Sequence, residues 1–186
     1  MVEKTWKNYP DIKYEMNIKN IKIMGDTAVV QMNESANGTT FDQSEILKEK
    51  GHLKSSSGSI YYLKKINDSW KIFSDIVVHE KTELTYGEAN SLVFNLEAPA
   101  QIQAGEEYTA SLHITPPKES FIIASIGREK VTYPQIPAKE IYKKFPNNGP
   151  LERMFKTNED NLNEYAVASF GITKAKLNDG KELQIS

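Results

Sequence analysis

A chain of 186 residues with 39% apolar and 26% charged residues has the composition of a globular protein rather than a disordered one. The net charge of −2 provides no long-range attraction to nucleic acid or to an anionic membrane. Only Arg128 and Arg153 are arginines, which argues further against nucleic-acid binding because phosphate and base contacts favour arginine.

The sequence contains no cysteine, which excludes disulfides, thiol catalysis and thiolate metal sites but leaves the redox compartment open. No run of about 18 apolar residues is present, so we expect no transmembrane segment. The first residues, MVEKTWKNYPD, lack the apolar core of a signal peptide. They lead almost directly into a predicted strand, as expected if an upstream segment such as a signal had been removed.

The first predicted element is a β-hairpin over Tyr14–Asn33. Its apolar residues alternate, and the alternation changes parity at Asn20, which indicates a β-bulge. Gly25-Asp26 supplies the turn. The polar stretch Glu34–Lys50 then predicts a loop, with a short helical turn over Ser44–Lys50 as the alternative.

A second, longer hairpin is predicted over His52–Ile66 and Trp70–Thr82, with its turn at Asn67–Ser69. Strands of this length favour a strongly twisted, curved sheet. The two hairpins together predict a curved antiparallel sheet as the first domain.

The register of the second hairpin is left open by the sequence. The shorter turn, with Ile66 paired to Ser69, puts Asp75 on the face of Tyr62. A turn that is one residue longer puts Asp75 opposite Tyr61, since a slip of one residue moves every side chain to the other face.

The stretch Leu84–Ser91 loses the strand pattern, and we predict domains at residues 1–86 and 87–186. After it, short strands alternate with glycine and proline turn signals, which predicts an antiparallel, immunoglobulin-like β-sandwich. Only Ala138–Phe145 has a helical pattern. The predicted strands are Leu92–Leu96, Glu107–Ile114, Phe121–Ile126, Lys130–Tyr133, Leu151–Lys156, Glu164–Phe170, Thr173–Leu177 and Glu182–Ile185.

The runs GDTAVV and GSIYYLKKINDSWKIFSDIVVHEKTEL resemble the C-terminal part of a nuclear transport factor 2-like (polyketide-cyclase-like) domain over residues 9–83. The resemblance implies a partial α+β, cone-like fold: a curved sheet around N-terminal helices, with a pocket between them. The helices that this family places before Trp6 are absent from the sequence, so we expect either that the chain is a fragment or that a second copy or the second domain covers the sheet. Family members differ in activity, so no reaction is implied. The residues that carry the resemblance are Gly25, Asp26, Ala28, Val30, Tyr62, Leu63, Lys65, Trp70, Lys71, Ile72, Ser74, Asp75 and Glu80.

In the second half, the pattern AGEEYTASLHI resembles immunoglobulin-like modules of bacterial cell-envelope proteins. The resemblance implies an extracytoplasmic location, in the envelope or secreted. The segment Pro134–Pro150 is either a recognition loop or a packed crossing of the sandwich. Arg128 and Arg153 are candidates for a protein interface, where arginine is enriched.

Asp75 and His79 are the candidate polar groups of the predicted pocket. Their spacing of four residues places them on one face of a strand, about 13 Å apart. Tyr61, Tyr62 and Trp70 are candidates for an aromatic floor beneath a small ligand. For Asp75 and Trp70, a solvated strand residue and a hairpin anchor are the simpler interpretations.

The three histidines are scattered, so we assign no metal site, no cofactor and no catalytic residue. The favoured hypothesis is a non-enzymatic envelope or secreted protein that binds a small ligand or a protein partner. The alternative is an isomerase-, dehydratase- or cyclase-like enzyme with Asp75 or His79 as general base, which requires a closed cavity around Asp75. A homodimer is compatible with both.

Overall fold

The computed structural model describes residues 7–41, 49–132, 135–136, 138–160, 162–177 and 183–185. Its described elements are strands in antiparallel sheets and one short 3-10 turn, which confirms the mainly β fold class. The chain divides into two compact units, Met1–Asn90 and Ser91–Ser186. The predicted division after residue 86 lies at the start of that 3-10 turn, Gly87–Ser91.

The first unit is a four-stranded sheet in which each strand pairs with the next in the chain, in the order β1-β2-β3-β4. This meander confirms both predicted hairpins. The strands are β1 (Lys13–Met24), β2 (Thr27–Phe41), β3 (Lys50–Ile66) and β4 (Ser69–Tyr86).

The two hairpin turns use residues that tolerate a left-handed backbone. Gly25 has a φ of 61°, and Asn67 and Asp68 have φ values of 49° and 61°. At Asn67-Asp68 both central residues have positive φ, which gives a hairpin turn whose twist matches that of the strands. The Lys65 ammonium lies 3.0 Å from the Asp68 carboxylate across the second turn.

Both outer strands of the sheet carry β-bulges. In β1 the register shifts between Ile18 and Asn20, which confirms the predicted bulge there. In β4 two shifts leave Phe73 and Val78 without a direct partner on β3. Each bulge reverses the parity of the residues that follow.

The predicted loop at Glu34–Lys50 is wrong over its first part. β2 continues to Phe41, and Glu34 to Phe41 pair with β3 in unbroken register. The polar residues and the turn-forming pair Asn37-Gly38 concealed this strand, because both are typical of loops. Gly38, which was read as part of a loop, instead lies against Ile12, whose Cα would be 3.2 Å from an added Cβ. Residues 42–48 lie outside the described part of the chain.

The second unit contains two antiparallel sheets in a β-sandwich-like arrangement. One has the strand order β5-β6-β9 and the other β11-β10-β7-β8. The predicted strands Glu164–Phe170 and Thr173–Leu177 are the single strand β10. The predicted strand Phe121–Ile126 extends to Lys130 in β7, whereas Val131 and Thr132 of the predicted strand Lys130–Tyr133 are not in a strand. The strands are β5 (Phe94–Glu97), β6 (Glu107–Ile114), β7 (Ser120–Lys130), β8 (Lys143–Lys144), β9 (Leu151–Lys156), β10 (Glu164–Leu177) and β11 (Leu183–Ile185).

The core of the second unit lies between these sheets. Every second residue of β6 and of β7 points inward, as the two-residue period of a strand requires. Ala110 and Leu112 are essentially inaccessible, and the Phe94 ring packs edge-on against Phe170 with centroids 5.1 Å apart. The buried residues are Ala110, Leu112, Ile114, Ile122, Ala124, Ile126 and Phe145.

The helical pattern over Ala138–Phe145 does not produce a helix. The Ile141 amide donates to Ser125 Oγ at 2.8 Å, and the Phe145 amide donates to the Ile122 carbonyl at 2.9 Å. Phe145 is buried in the core. The described residues of Pro134–Pro150 therefore pack on the sandwich at Phe145, whereas Ile141 and Tyr142 are about half exposed, and a recognition role for the segment stays a prediction.

Two arginines join the sheets of the second unit. Arg128 on β7 donates to the Lys156 carbonyl on β9, and Arg153 on β9 donates to the Ile126 carbonyl on β7. Arg128 also lies 3.2 Å from the Glu164 carboxylate. Both guanidinium groups therefore join the two sheets, and the predicted role of these arginines at a protein interface stays a prediction.

Candidate functional site

The strand pairing of the first unit sorts its side chains onto two faces, because directly opposed residues of an antiparallel pair point the same way. One row across the four strands contains Ile23, Ala28, Leu63 and Ile72. We call the face that carries this row the apolar face. The opposite, lysine-rich face carries Lys13, Lys22, Lys50, Lys54, Lys64, Lys71 and Lys81.

The apolar face is exposed although its residues have the composition of a core. Met16, Ile18 and Ile72 are 64%, 58% and 59% exposed. A sheet normally buries its apolar face against another layer, and the described residues of the first unit form one sheet only. The exposed large side chains of this face are Tyr14, Met16, Ile18, Ile21, Ile23, Trp70, Ile72, Val77 and Leu84.

Exposure differs between the outer and the central strands of this face. All nine exposed side chains belong to β1 or β4. On β2, by contrast, Ala28, Val30 and Ala36 are buried between their neighbours. The apolar face therefore has two open apolar margins and a shielded centre.

A hydrogen-bonded cluster of polar side chains lies in that centre. The Glu34 carboxylate accepts hydrogen bonds from Ser59 Oγ and from the Tyr61 hydroxyl, both at 2.6 Å, and a longer one from Ser57 Oγ at 3.5 Å. Tyr61 pairs with Val30, so its ring reaches along the strand to Glu34. The cluster provides hydrogen-bond donors for a carboxylate that lies within an otherwise apolar surface.

The hydrogen bond to Glu34 raises the pKa of Tyr61 to about 12, with burial and the negative charge of Glu34 as further causes. Loss of the phenolic proton would place two negative charges together and break the bond. Tyr61 is therefore a neutral hydrogen-bond donor at any physiological pH. In this arrangement it orients Glu34 and does not act as a base.

The structure resolves the register left open by the sequence. Ile66 pairs with Ser69, as in the shorter turn, yet Asp75 lies opposite Tyr61, as expected for the longer one. The bulge at Phe73 provides the extra residue that reconciles the two observations.

The predicted ligand-binding residues are divided between the faces. Tyr61, Trp70 and Asp75 lie on the apolar face, whereas Tyr62 and His79 lie on the lysine-rich face. The Tyr62 ring instead contacts the Phe73 ring, with centroids 6.3 Å apart.

The prediction that Asp75 and His79 share a face is wrong. The bulge at Val78 lies between them and reverses the parity, so that His79 pairs with Gly58. An added Cβ at Gly58 would lie 2.7 Å from His79 Nδ1, which shows that the imidazole lies directly over the glycine. On the lysine-rich face, His79 thus covers the backbone of Gly58, which has no side chain of its own.

Asp75 is exposed on the outer strand β4. The enzymatic alternative requires Asp75 to be buried in a closed cavity. The described residues around Asp75 do not supply that burial. The arrangement on this face is suited to contact with an apolar surface, with Glu34, Tyr61 and Asp75 as its polar groups.

Glu34 and Ser59 are site residues that the sequence interpretation missed. Glu34 was assigned to a loop, and its parity with Val30 and Met32 was the signal that could have placed it on the same face. Ser59 belongs to a run of serines in β3, and serine side chains are mostly exposed in proteins. Its side chain is instead buried, with the hydroxyl on Glu34.

The described residues contain no group of three or more His, Asp or Glu side chains arranged to hold a metal ion. Within the same ranges, no helix has the length and apolar character needed to cross a bilayer. Comparison with protein-family models, with curated proteins and with solved structures finds no match for this chain.

Proposed function

We propose that this chain is a non-enzymatic binding protein whose first unit recognises a protein partner or a small ligand through the apolar face. The exposure of that face is the observation that carries the proposal. Its nine open side chains expose roughly 100 Å² each, or about 900 Å² together, if a large side chain has ~200 Å² of surface.

That area separates a binding surface from ordinary surface hydrophobicity. The largest apolar patch of a monomeric protein is about 300–600 Å². A standard protein interface buries about 800 Å² on each partner. The two margins together exceed the first value and match the second, so a partner that contacts both margins would complete the layer that the sheet lacks.

The distribution of polar groups favours binding over catalysis. Asp75 is exposed on the apolar face, His79 lies on the other face, and Glu34 is held by its hydroxyl donors. These positions do not converge on one reacting atom. An enzymatic turnover that Asp75→Asn abolishes would contradict the proposal.

For the whole chain, we extend the proposal to an envelope or secreted protein with a nuclear transport factor 2-like first domain and an immunoglobulin-like second domain. The residue patterns GDTAVV and AGEEYTASLHI support this extension. The β-sandwich-like arrangement of the second unit is consistent with it. In such a layout the second unit is a module for protein contact.

Native mass spectrometry of the purified full chain tests the binding function, because it gives the subunit count and any co-purified mass together. We expect bound mass, self-association, or binding of the apolar dye anilinonaphthalene sulfonate that Ile72→Asp removes. Ile76→Asp is the matched control, since Ile76 is 47% exposed on the same strand but lies on the lysine-rich face. A monomer with no bound mass and no dye binding would refute the proposal.

A further inference from the structure

We infer that the apolar face binds a basic amphipathic α-helix of a partner protein. This inference rests on the proposed binding function and adds to it the chemical class of the partner. It follows from three features of the face: its dimensions, its two open margins and the sign of its charges.

The dimensions of the apolar face match one helix. Four strands about 4.8 Å apart place the axes of β1 and β4 about 14 Å from each other. From Tyr14 to Ile23 the open margin of β1 is about 30 Å long at ~3.3 Å per residue. A helix with its side chains is about 10–12 Å wide, and about 20 residues span 30 Å.

The open margins favour a rod-shaped partner. The exposed apolar side chains stand on β1 and β4, and the centre between them is shielded. A helix that lies along the centre would contact the apolar side chains of both margins with the two sides of its apolar stripe. Addition of a strand at either outer edge is less suitable, because bulges at Lys19, Phe73 and Val78 interrupt both edges.

The charges of the apolar face are mainly negative. Glu34, Asp75 and Glu80 lie on it, against the single lysine Lys65 among the paired strand residues. The lysines are concentrated on the opposite face, so this imbalance is local. Lysine or arginine beside the apolar stripe of a helix would meet Asp75 and Glu80 on β4. A second copy of this face would bring like charges together.

A model helix tests the inference with the full chain. The probe is a fluorescently labelled 18-residue peptide of leucine and lysine, with leucine at positions that form one helical stripe. One control peptide replaces lysine with glutamate, and another has the same composition with leucine distributed around the helix. Binding is measured by fluorescence anisotropy.

We expect the leucine–lysine peptide to bind at least tenfold more tightly than either control peptide. Ile72→Asp should weaken its binding at least tenfold, and Ile76→Asp should change it less than twofold. Asp75→Lys combined with Glu80→Lys should reverse the preference in favour of the glutamate peptide. Circular dichroism of each variant checks that the sheet is retained.

Equal binding of the lysine and glutamate peptides, or equal losses in Ile72→Asp and Ile76→Asp, would overturn the inference. A dimer that Ile72→Asp dissociates, without peptide binding, would show that a second copy occupies the face. A co-purified small molecule on the face would show a ligand there instead. In both of these cases the inference fails and the proposed binding function stands.

Discussion

Removal of the Glu34 carboxylate should release Tyr61 and lower its pKa from about 12. The hydrogen bond to Glu34 is the largest cause of the raised value, followed by burial and by the charge of Glu34. Glu34→Gln keeps an oxygen acceptor but removes the charge. Glu34→Ala removes both, so that burial remains as a cause and the pKa should approach the ordinary value of 10.0.

The same substitution has a cost in stability. Glu34 accepts two hydrogen bonds of 2.6 Å, from Ser59 and Tyr61, in a half-buried position. Hydrogen bonds to charged groups contribute about 1.5–3 kcal/mol each, and water can replace part of this at a half-buried site. We therefore expect Glu34→Ala to lower the free energy of unfolding by about 1–3 kcal/mol.

The sign of the pH dependence follows from the direction of the shift. A tyrosine whose pKa is raised on folding stabilises the native state fully below pH 10, and this contribution is lost as the pH rises through about 12. In Glu34→Ala that alkaline loss should be smaller.

The assay is carbon-13 NMR of tyrosine labelled at the ring carbon that bears the hydroxyl, followed through an alkaline titration. Tyr61→Phe identifies the resonance. We expect the Tyr61 pKa to be highest in the wild type, lower in Glu34→Gln and lowest in Glu34→Ala. An unchanged pKa in Glu34→Ala would refute the cluster as the origin of the shift.

Three further predictions concern stability. Leu112→Ala should cost about 2–5 kcal/mol in urea unfolding because Leu112 is 1% exposed, whereas Met154→Ala on the exposed surface should cost under about 0.5 kcal/mol. Gly58→Ala should destabilise the wild type by displacing the His79 imidazole, yet stabilise a His79→Ala background by up to ~1 kcal/mol in the same assay, and destabilisation in both would contradict the contact. Hydrogen bonds from the amide and the hydroxyl of Thr39 lower the pKa of Asp11. Asp11 therefore stabilises the native state above pH 3.8, and this stabilisation is lost as the pH falls through the lowered pKa. An acid unfolding titration in which Asp11→Asn behaves as wild type would refute this.

The strands were predictable where turn-forming residues marked their ends in the sequence. The bounds of β6 and β9 were predicted to the residue, and Gly25-Asp26 and Asn67-Asp68 marked turns that need positive φ. Glu34–Phe41 failed because polar residues on a strand between two neighbours look like loop residues. Its pairing with β3 is a long-range contact that no local pattern encodes.

The composition of the two faces was harder to predict because it depends on the bulges. Regular alternation predicted Asp75 and His79 on the same face, whereas the bulge at Val78 places them on opposite faces. The bulge in β1 was visible because apolar residues on both sides of it changed parity. Around Phe73 and Val78, apolar residues occur at successive positions, so a change of parity left no trace in the sequence.

The bulges in β1 and β4 also determine how this chain would behave at high concentration. A regular sheet with two open edges can recruit further copies without limit, and such growth produces fibres. Here the bulges hinder the addition of copies strand by strand at the edges of the first unit, whereas one partner can cover the apolar face. Association through the apolar face of the first unit should therefore stop at a complex of defined size.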